Sequence, residues 1–148
     1  MAKRATATMG KGATGGRLAA AARKARARAY APYSKFKVGA AILADDGEIY
    51  AGCNVENAAY PNGVCAETSA ISAMIAAGAR RIREIAVIGS GPKLVTPCGG
   101  CRQRIAEFAA PEVPVHICGD QGVRKTFTIA ELLPESFDVR NLKGSSRR

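Results

Sequence analysis

Residues 64–70 read VCAETSA and residues 97–103 read PCGGCRQ. Each stretch begins at a chain breaker, Pro61-Asn62-Gly63 before the first and Pro97 in the second, and each opens a run with helical character. Cysteines at i and i+3 in a first helical turn share one face, so Cys98 and Cys101 can aim two thiolates at one ion. Unpaired backbone N–H groups and the helix dipole stabilise that charge. Cys65, at the start of the other helix, offers a third thiolate, and zinc is the metal this soft donor set suits. Three protein ligands leave one position open for water, as in a catalytic centre. Glu67, two residues past Cys65, falls beside the metal, where a carboxylate can carry protons.

Other readings of the spacing stay open. A C-x-x-C pair also fits redox thiols or half of a structural zinc site. Pro97 and the two intervening glycines disfavour the redox reading. A structural site needs a fourth ligand, His116 or Cys118; on a predicted strand these two are expected to face opposite sides, so that only one could serve.

Outward from these stretches the chain alternates between strand and helix signals. RLAAAARKARARAY (residues 17–30) consists almost entirely of strong helix formers and stops at Pro32. KVGAAILA and EIYAGCNV, joined by Asp45-Asp46-Gly47, predict a hairpin. A helix follows from residue 64 to the Gly78 stop, then a buried strand, EIAVIGS. After the helix opened by Pro97 come the strands VPVHIC and RKTFTI and a short helix, IAELL. The order α-β-β-α-β-α-β-β-α predicts an α/β protein, one mixed five-stranded sheet covered by helices on both faces in three layers.

Composition narrows the class. A chain of 148 residues, 47% hydrophobic but 5% aromatic, suffices for one core packed with small aliphatic side chains. No apolar run approaches the ~20 residues that span a bilayer. Five cysteines, an odd number, do not suggest a disulfide framework, so a cytoplasmic protein without a membrane partner is expected. The net charge of +10 lies at the ends. Residues 1–37 hold ten Lys or Arg and no acid, whereas residues 38–137 hold eight basic and eleven acidic residues. The expected organisation is a disordered basic leader over 1–16, a catalytic domain over 17–137 and a flexible basic tail over 138–148. No aromatic residue precedes Tyr30 to stack on bases, so no nucleic-acid partner is expected. An acid-free leader also fits a transit peptide.

CNVENAAYPNGVCAE (residues 53–67), PCGGCRQ and ELLPESF (residues 131–137), in that order, resemble the short, homotetrameric, zinc-dependent cytidine deaminases. The similarity spans residues 33–137. It implies a cytidine-deaminase-like fold, a nucleoside substrate, one zinc per subunit bound by Cys65, Cys98 and Cys101, and active sites shared between subunits of a tetramer. By the same resemblance, Glu67 is the catalytic proton shuttle, Asn54 and Glu56 bind the ribose 3′-hydroxyl, and Phe36 packs beside the pyrimidine. The backbone of Ala66 reads the base, the carbonyl of Thr96 or Pro97 meets the departing amine, and Tyr60 and Phe137 reach a neighbouring subunit's site. The implied reaction is hydrolytic deamination of cytidine and 2′-deoxycytidine in pyrimidine salvage: activated water attacks C4, Glu67 protonates N3 and then the leaving amine, and ammonia departs. Many relatives carry Arg after the glutamate, where this chain has Thr68. Arg102 is therefore expected to offset the negative charge of a three-thiolate zinc centre. A modified aminopyrimidine nucleoside such as blasticidin S is the alternative substrate, because its deaminases also lack that Arg.

Overall fold

The computed structural model of the chain describes residues 11–142. Five strands form one mixed sheet: β1 (Gly39–Ala44), β2 (Ile49–Cys53), β3 (Ile82–Ile88), β4 (Pro114–Gly119) and β5 (Gly122–Thr128), in the spatial order β2-β1-β3-β4-β5. β1 runs antiparallel to β2 and β3, β3 and β4 are parallel, and β5 returns antiparallel to β4. The parallel pair is joined through a helix, as a parallel crossover requires.

The apolar strands separate by alternation into two cores. On one face, Ala40, Ile42, Ile85, Val87, Val115 and Ile117 pack with Ile71 and Met74 of α2 (Ala66–Ala76), Ile105 of α3 (Gly99–Phe108) and Leu132 of α4 (Ile129–Leu132). On the other, Ala41, Ala86, Ile88 and Cys118 pack with Leu18, Ala19 and Ala22 of α1 (Lys11–Ala27). These are the three layers expected. Small residues let the layers meet closely: a Cβ on Gly39 would lie 2.0 Å from the Ala22 carbonyl oxygen, and one on Gly52 would lie 2.4 Å from the Ala70 nitrogen. α2 is thereby seated directly on β2.

Three boundaries differ from expectation. α1 begins at Lys11, so residues 11–16 of the expected disordered leader are helical. Gly15 is buried there, its α-carbon facing Val123 and the His116 ring, so packing on β4 and β5 outweighs the weak helix propensity of Gly and Thr. α1 ends at Ala27 instead of Tyr30, because the chain leaves the helix to pair with residues 54–56: Tyr30 N–H donates to the Asn54 carbonyl and Glu56 N–H to that of Tyr30. In the expected flexible tail, Val139–Leu142 forms a helical turn, α5, begun by Asp138, whose carboxylate accepts from the Arg140 N–H. Residues 1–10 of the leader and 143–148 of the tail lie outside the described residues.

Candidate active site

Cys65 is the N-cap of α2 and Cys98 the N-cap of α3; both have extended backbone, and neither side chain caps its helix. Their thiols are thus free to point away from the helix axes while remaining at its positive end. Cys101, one turn into α3, is buried. The sulfurs of Cys65 and Cys98 are 4.0 Å apart, and all three sulfurs lie within 4.8 Å of one another. Zinc with sulfurs at ~2.3 Å in a tetrahedron needs them about 3.8 Å apart, so the cluster fits the ion with only small closure. All five cysteines are free thiols.

The thiols differ in acidity. Burial raises Cys65, and burial together with the nearby Glu67 carboxylate raises Cys101. Cys98 also feels burial, but the Cys101 N–H and the neighbouring Cys101 and Cys65 side chains offset it and leave Cys98 below the ordinary thiol value. Cys98 is therefore the thiol most ready to ionise.

Glu67 is 4% exposed, and burial pushes its carboxyl above the usual range against its own N–H, the Cys101 thiol and the charge of Arg104. Cys101 Sγ donates to Glu67 Oε2 at 3.5 Å. This carboxyl is beside the thiol cluster and is tuned toward holding a proton. Thr68 Oγ1 lies 4.0 Å from Cys101 Sγ and adds no charge.

A cavity of about 550 Å³ opens beside this cluster. Its lining brings together Phe36, Asn54, Glu56, Tyr60, Cys65, Ala66, Glu67, Thr96 and Cys98. Asn54 is held at both ends, Oδ1 accepting from the Val38 N–H at 2.8 Å and Nδ2 donating to the Phe36 carbonyl at 2.8 Å. Glu56 Oε1 accepts from the N–H groups of Tyr33 and Ser34. Tyr60 is 75% exposed at the mouth, edge-on to Tyr33 with ring centres 6.0 Å apart.

Three expected site residues stand elsewhere. Pro97 is fully buried, and its carbonyl accepts from Arg102 Nε at 2.8 Å. Arg102 also donates to Leu132 O at 2.9 Å and Thr96 Oγ1 at 3.1 Å; these three side-chain bonds all reach oxygen and tie the residue 96–98 loop to α4. Phe137, 58% exposed, lines a separate hollow formed by α3 and the C-terminal segment. His116 and Cys118 do not face opposite sides: two positions apart on β4, both face α1. His116 bonds Glu84 and Thr126, each at 2.9 Å. Both therefore lie across the sheet from the thiol cluster, which has no fourth cysteine or histidine among the described residues. Sequence reasoning missed Ser34, whose hydroxyl touches Glu56, and Arg104, whose charge reaches Glu67. Ser34 stands two residues before Phe36 in the stretch YSKF (residues 33–36), a proximity that could have marked it, whereas nothing in the spacing marks Arg104.

Three thiols on two helix starts, with a buried carboxyl at the edge of a cavity, define a metal-dependent enzyme centre. Residues 15–117 match the family described as the cytidine and deoxycytidylate deaminase zinc-binding region. A cytidine deaminase of Sporosarcina psychrophila is 46% identical over 126 residues, covering 85% of this chain and 93% of that protein. One from Halalkalibacterium halodurans is 40% identical over 119 residues, covering 80% and 90%. The crystal structure of cytidine deaminase from Burkholderia pseudomallei superposes with a TM-score of 0.77 at 44% identity, covering 82% of this chain and 97% of that one. The chain belongs to this zinc-binding deaminase family, and its metal is zinc.

Proposed function

We propose that this protein catalyses the hydrolytic deamination of cytidine and 2′-deoxycytidine to uridine and 2′-deoxyuridine, releasing ammonia, in pyrimidine salvage. The observation that carries the proposal is that Glu67, bonded to Cys101 of the thiol cluster, lines the same cavity as Cys65, Cys98, Asn54 and Glu56. When bound by Cys65, Cys98 and Cys101, zinc supplies the Lewis acidity that activates water for attack at C4 of the pyrimidine.

The protein's own groups do the rest. Glu67 takes the first water proton on a carboxylate oxygen and delivers it to N3, then takes the proton of the new C4 hydroxyl and passes it to the amine, which leaves as ammonia as C4=O forms. Its burial favours the protonated state and so matches that relay. The Ala66 N–H belongs to the first turn of α2, where no helical acceptor exists, and is free to meet the base. Phe36 provides a wall against the ring. At the sugar, Asn54 Nδ2 keeps a second proton and Glu56 Oε2 keeps a lone pair. Together they can donate to and accept from a single 3′-hydroxyl, which is itself both donor and acceptor. Thr96, which lines the cavity, is better placed than Pro97 to meet the departing amine, because the Pro97 carbonyl is engaged by Arg102.

Tyr30, Tyr33, Phe36, Val55, Tyr60 and Val64 are exposed near the cavity, which supports a homotetramer whose neighbouring subunits cover the mouth and contribute Phe137. Cytoplasmic location is proposed with this function; among the described residues no helix is long and apolar enough to cross a membrane. No residue assigned to the sugar addresses the 2′ position, so kcat/KM for 2′-deoxycytidine is expected within tenfold of that for cytidine. A larger preference for ribose, or turnover of blasticidin S in preference to both, overturns this substrate assignment.

A further inference from the structure

We propose that Ser34 is the positioning residue that sets the orientation of Glu56, and that discrimination in favour of a 3′-hydroxyl depends on the Ser34 side chain. This rests on the assignment of Glu56 to the sugar made above.

Glu56 Oε1 accepts two backbone N–H bonds, from Tyr33 at 2.9 Å and Ser34 at 3.1 Å. Two donors on one oxygen pin that atom but leave the carboxylate plane free to swing about it. The second oxygen, Oε2, is the one that must face the sugar, and the Ser34 hydroxyl donates to it. That hydroxyl has one proton, and its direction is fixed in turn: Ser34 Oγ accepts from the Phe36 N–H at 3.0 Å, so the proton points the other way, to Glu56.

The backbone is bent to make this possible. Lys35, between Ser34 and Phe36, has φ of 58°, a left-handed conformation unfavourable for a lysine. The turn brings the Phe36 N–H back over the Ser34 side chain, in the manner of a serine turn. The Phe36 carbonyl then accepts from Asn54 Nδ2. One hydroxyl thus links the ring that walls the base to the carboxylate that reads the sugar. The same hydroxyl is the foremost influence holding the Glu56 carboxyl below its ordinary range, which keeps it an acceptor. Ser34 and Glu56 both line the cavity.

The test compares steady-state kinetics on cytidine and 3′-deoxycytidine for wild type, Ser34→Ala, Ser34→Thr and Glu56→Gln. The quantity read is the ratio of kcat/KM between the two substrates. In Ser34→Ala that ratio is expected to fall about tenfold, the scale of a hydrogen bond to a charged group, with the loss on cytidine carried by KM. Ser34→Thr, which keeps the hydroxyl, is expected to restore the ratio. Ser34→Gly removes the same hydroxyl and repeats the test if the alanine variant melts below assay temperature. A wild type with no preference for the 3′-hydroxyl, or a Glu56→Gln variant that keeps the preference, overturns the sugar assignment and the role of Ser34 with it. If Glu56→Gln loses the preference but Ser34→Ala retains it, or slows both substrates equally, the role of Ser34 alone is overturned.

Discussion

The Arg102 guanidinium shows how a residue can be found from sequence and still be given the wrong partners. Its position after Cys101 suggests a cation set against the thiolates, yet its bonds go to Pro97 O, Thr96 Oγ1 and Leu132 O. Its fork holds the loop that carries Cys98, and a lysine cannot reproduce three such bonds. Arg102→Ala is therefore expected to lower zinc content and turnover about tenfold or more, and Arg102→Lys to fall nearly as far. Metal analysis beside kcat checks this; a lysine variant with wild-type zinc and rate would return Arg102 to a role of charge alone. Cys65, Cys98, Cys101 and Glu67 were legible because a helical turn fixes where neighbours at short spacing point. The partners of Arg102 were not, since Leu132 lies 30 residues away along the chain. The influence of the Arg104 charge on Glu67 was hidden for the same reason.

Among the elements, α2 matters most, since it carries both Glu67 and the Cys65 cap. Its height above the sheet is set by Gly52, where a Cβ would meet Ala70 N at 2.4 Å and Ser69 Cβ at 2.7 Å. Gly52→Ala is expected to lift α2 and cost about 1–3 kcal/mol, the usual scale of overpacking, with a parallel loss of zinc affinity. Thermal melting with and without zinc measures both. α4 offers a milder case: Thr128 and Glu131 form a reciprocal capping box, and bonds from the Thr128 N–H and hydroxyl hold the Glu131 carboxyl below its ordinary value. A depressed folded value gives stability that is present above the unfolded value of about 4.3 and lost as pH falls through the folded one. The melting temperature of wild type relative to Glu131→Gln should therefore be highest near pH 6 and decline on acidification below about pH 4; a constant difference would contradict it. The five strands, in their order along the chain, and the two-sided core were legible from apolar runs and turn signals, whereas the spatial order β2-β1-β3-β4-β5 was not. The start of α1 was not, because the propensities of Gly12, Thr14, Gly15 and Gly16 oppose a helix, and the packing of Gly15 on Val123 of β5 and His116 of β4 is a long-range contact.

At the scale of the whole molecule, the sheet brings together two helix starts that are 33 residues apart in sequence at Cys65 and Cys98. Zinc bound between them ties α2 to α3 and should stabilise the fold by mass action, so chelation is expected to lower the melting temperature, and zinc alone to restore it. The shared cavity joins this metal cluster to the segment from Ser34 to Glu56, and the proposed chemistry needs both sides. The proposed deamination requires Glu67 to act beside a resident zinc. The direct measurement is cytidine deamination by wild type and Glu67→Gln, each with its zinc content determined on the same sample. The prediction is one zinc per subunit in both, rapid conversion of cytidine to uridine by wild type, and a loss of about 100-fold or more in Glu67→Gln. Wild-type protein that binds zinc without turning over cytidine, or a Glu67→Gln variant that turns it over at the wild-type rate, would contradict the account.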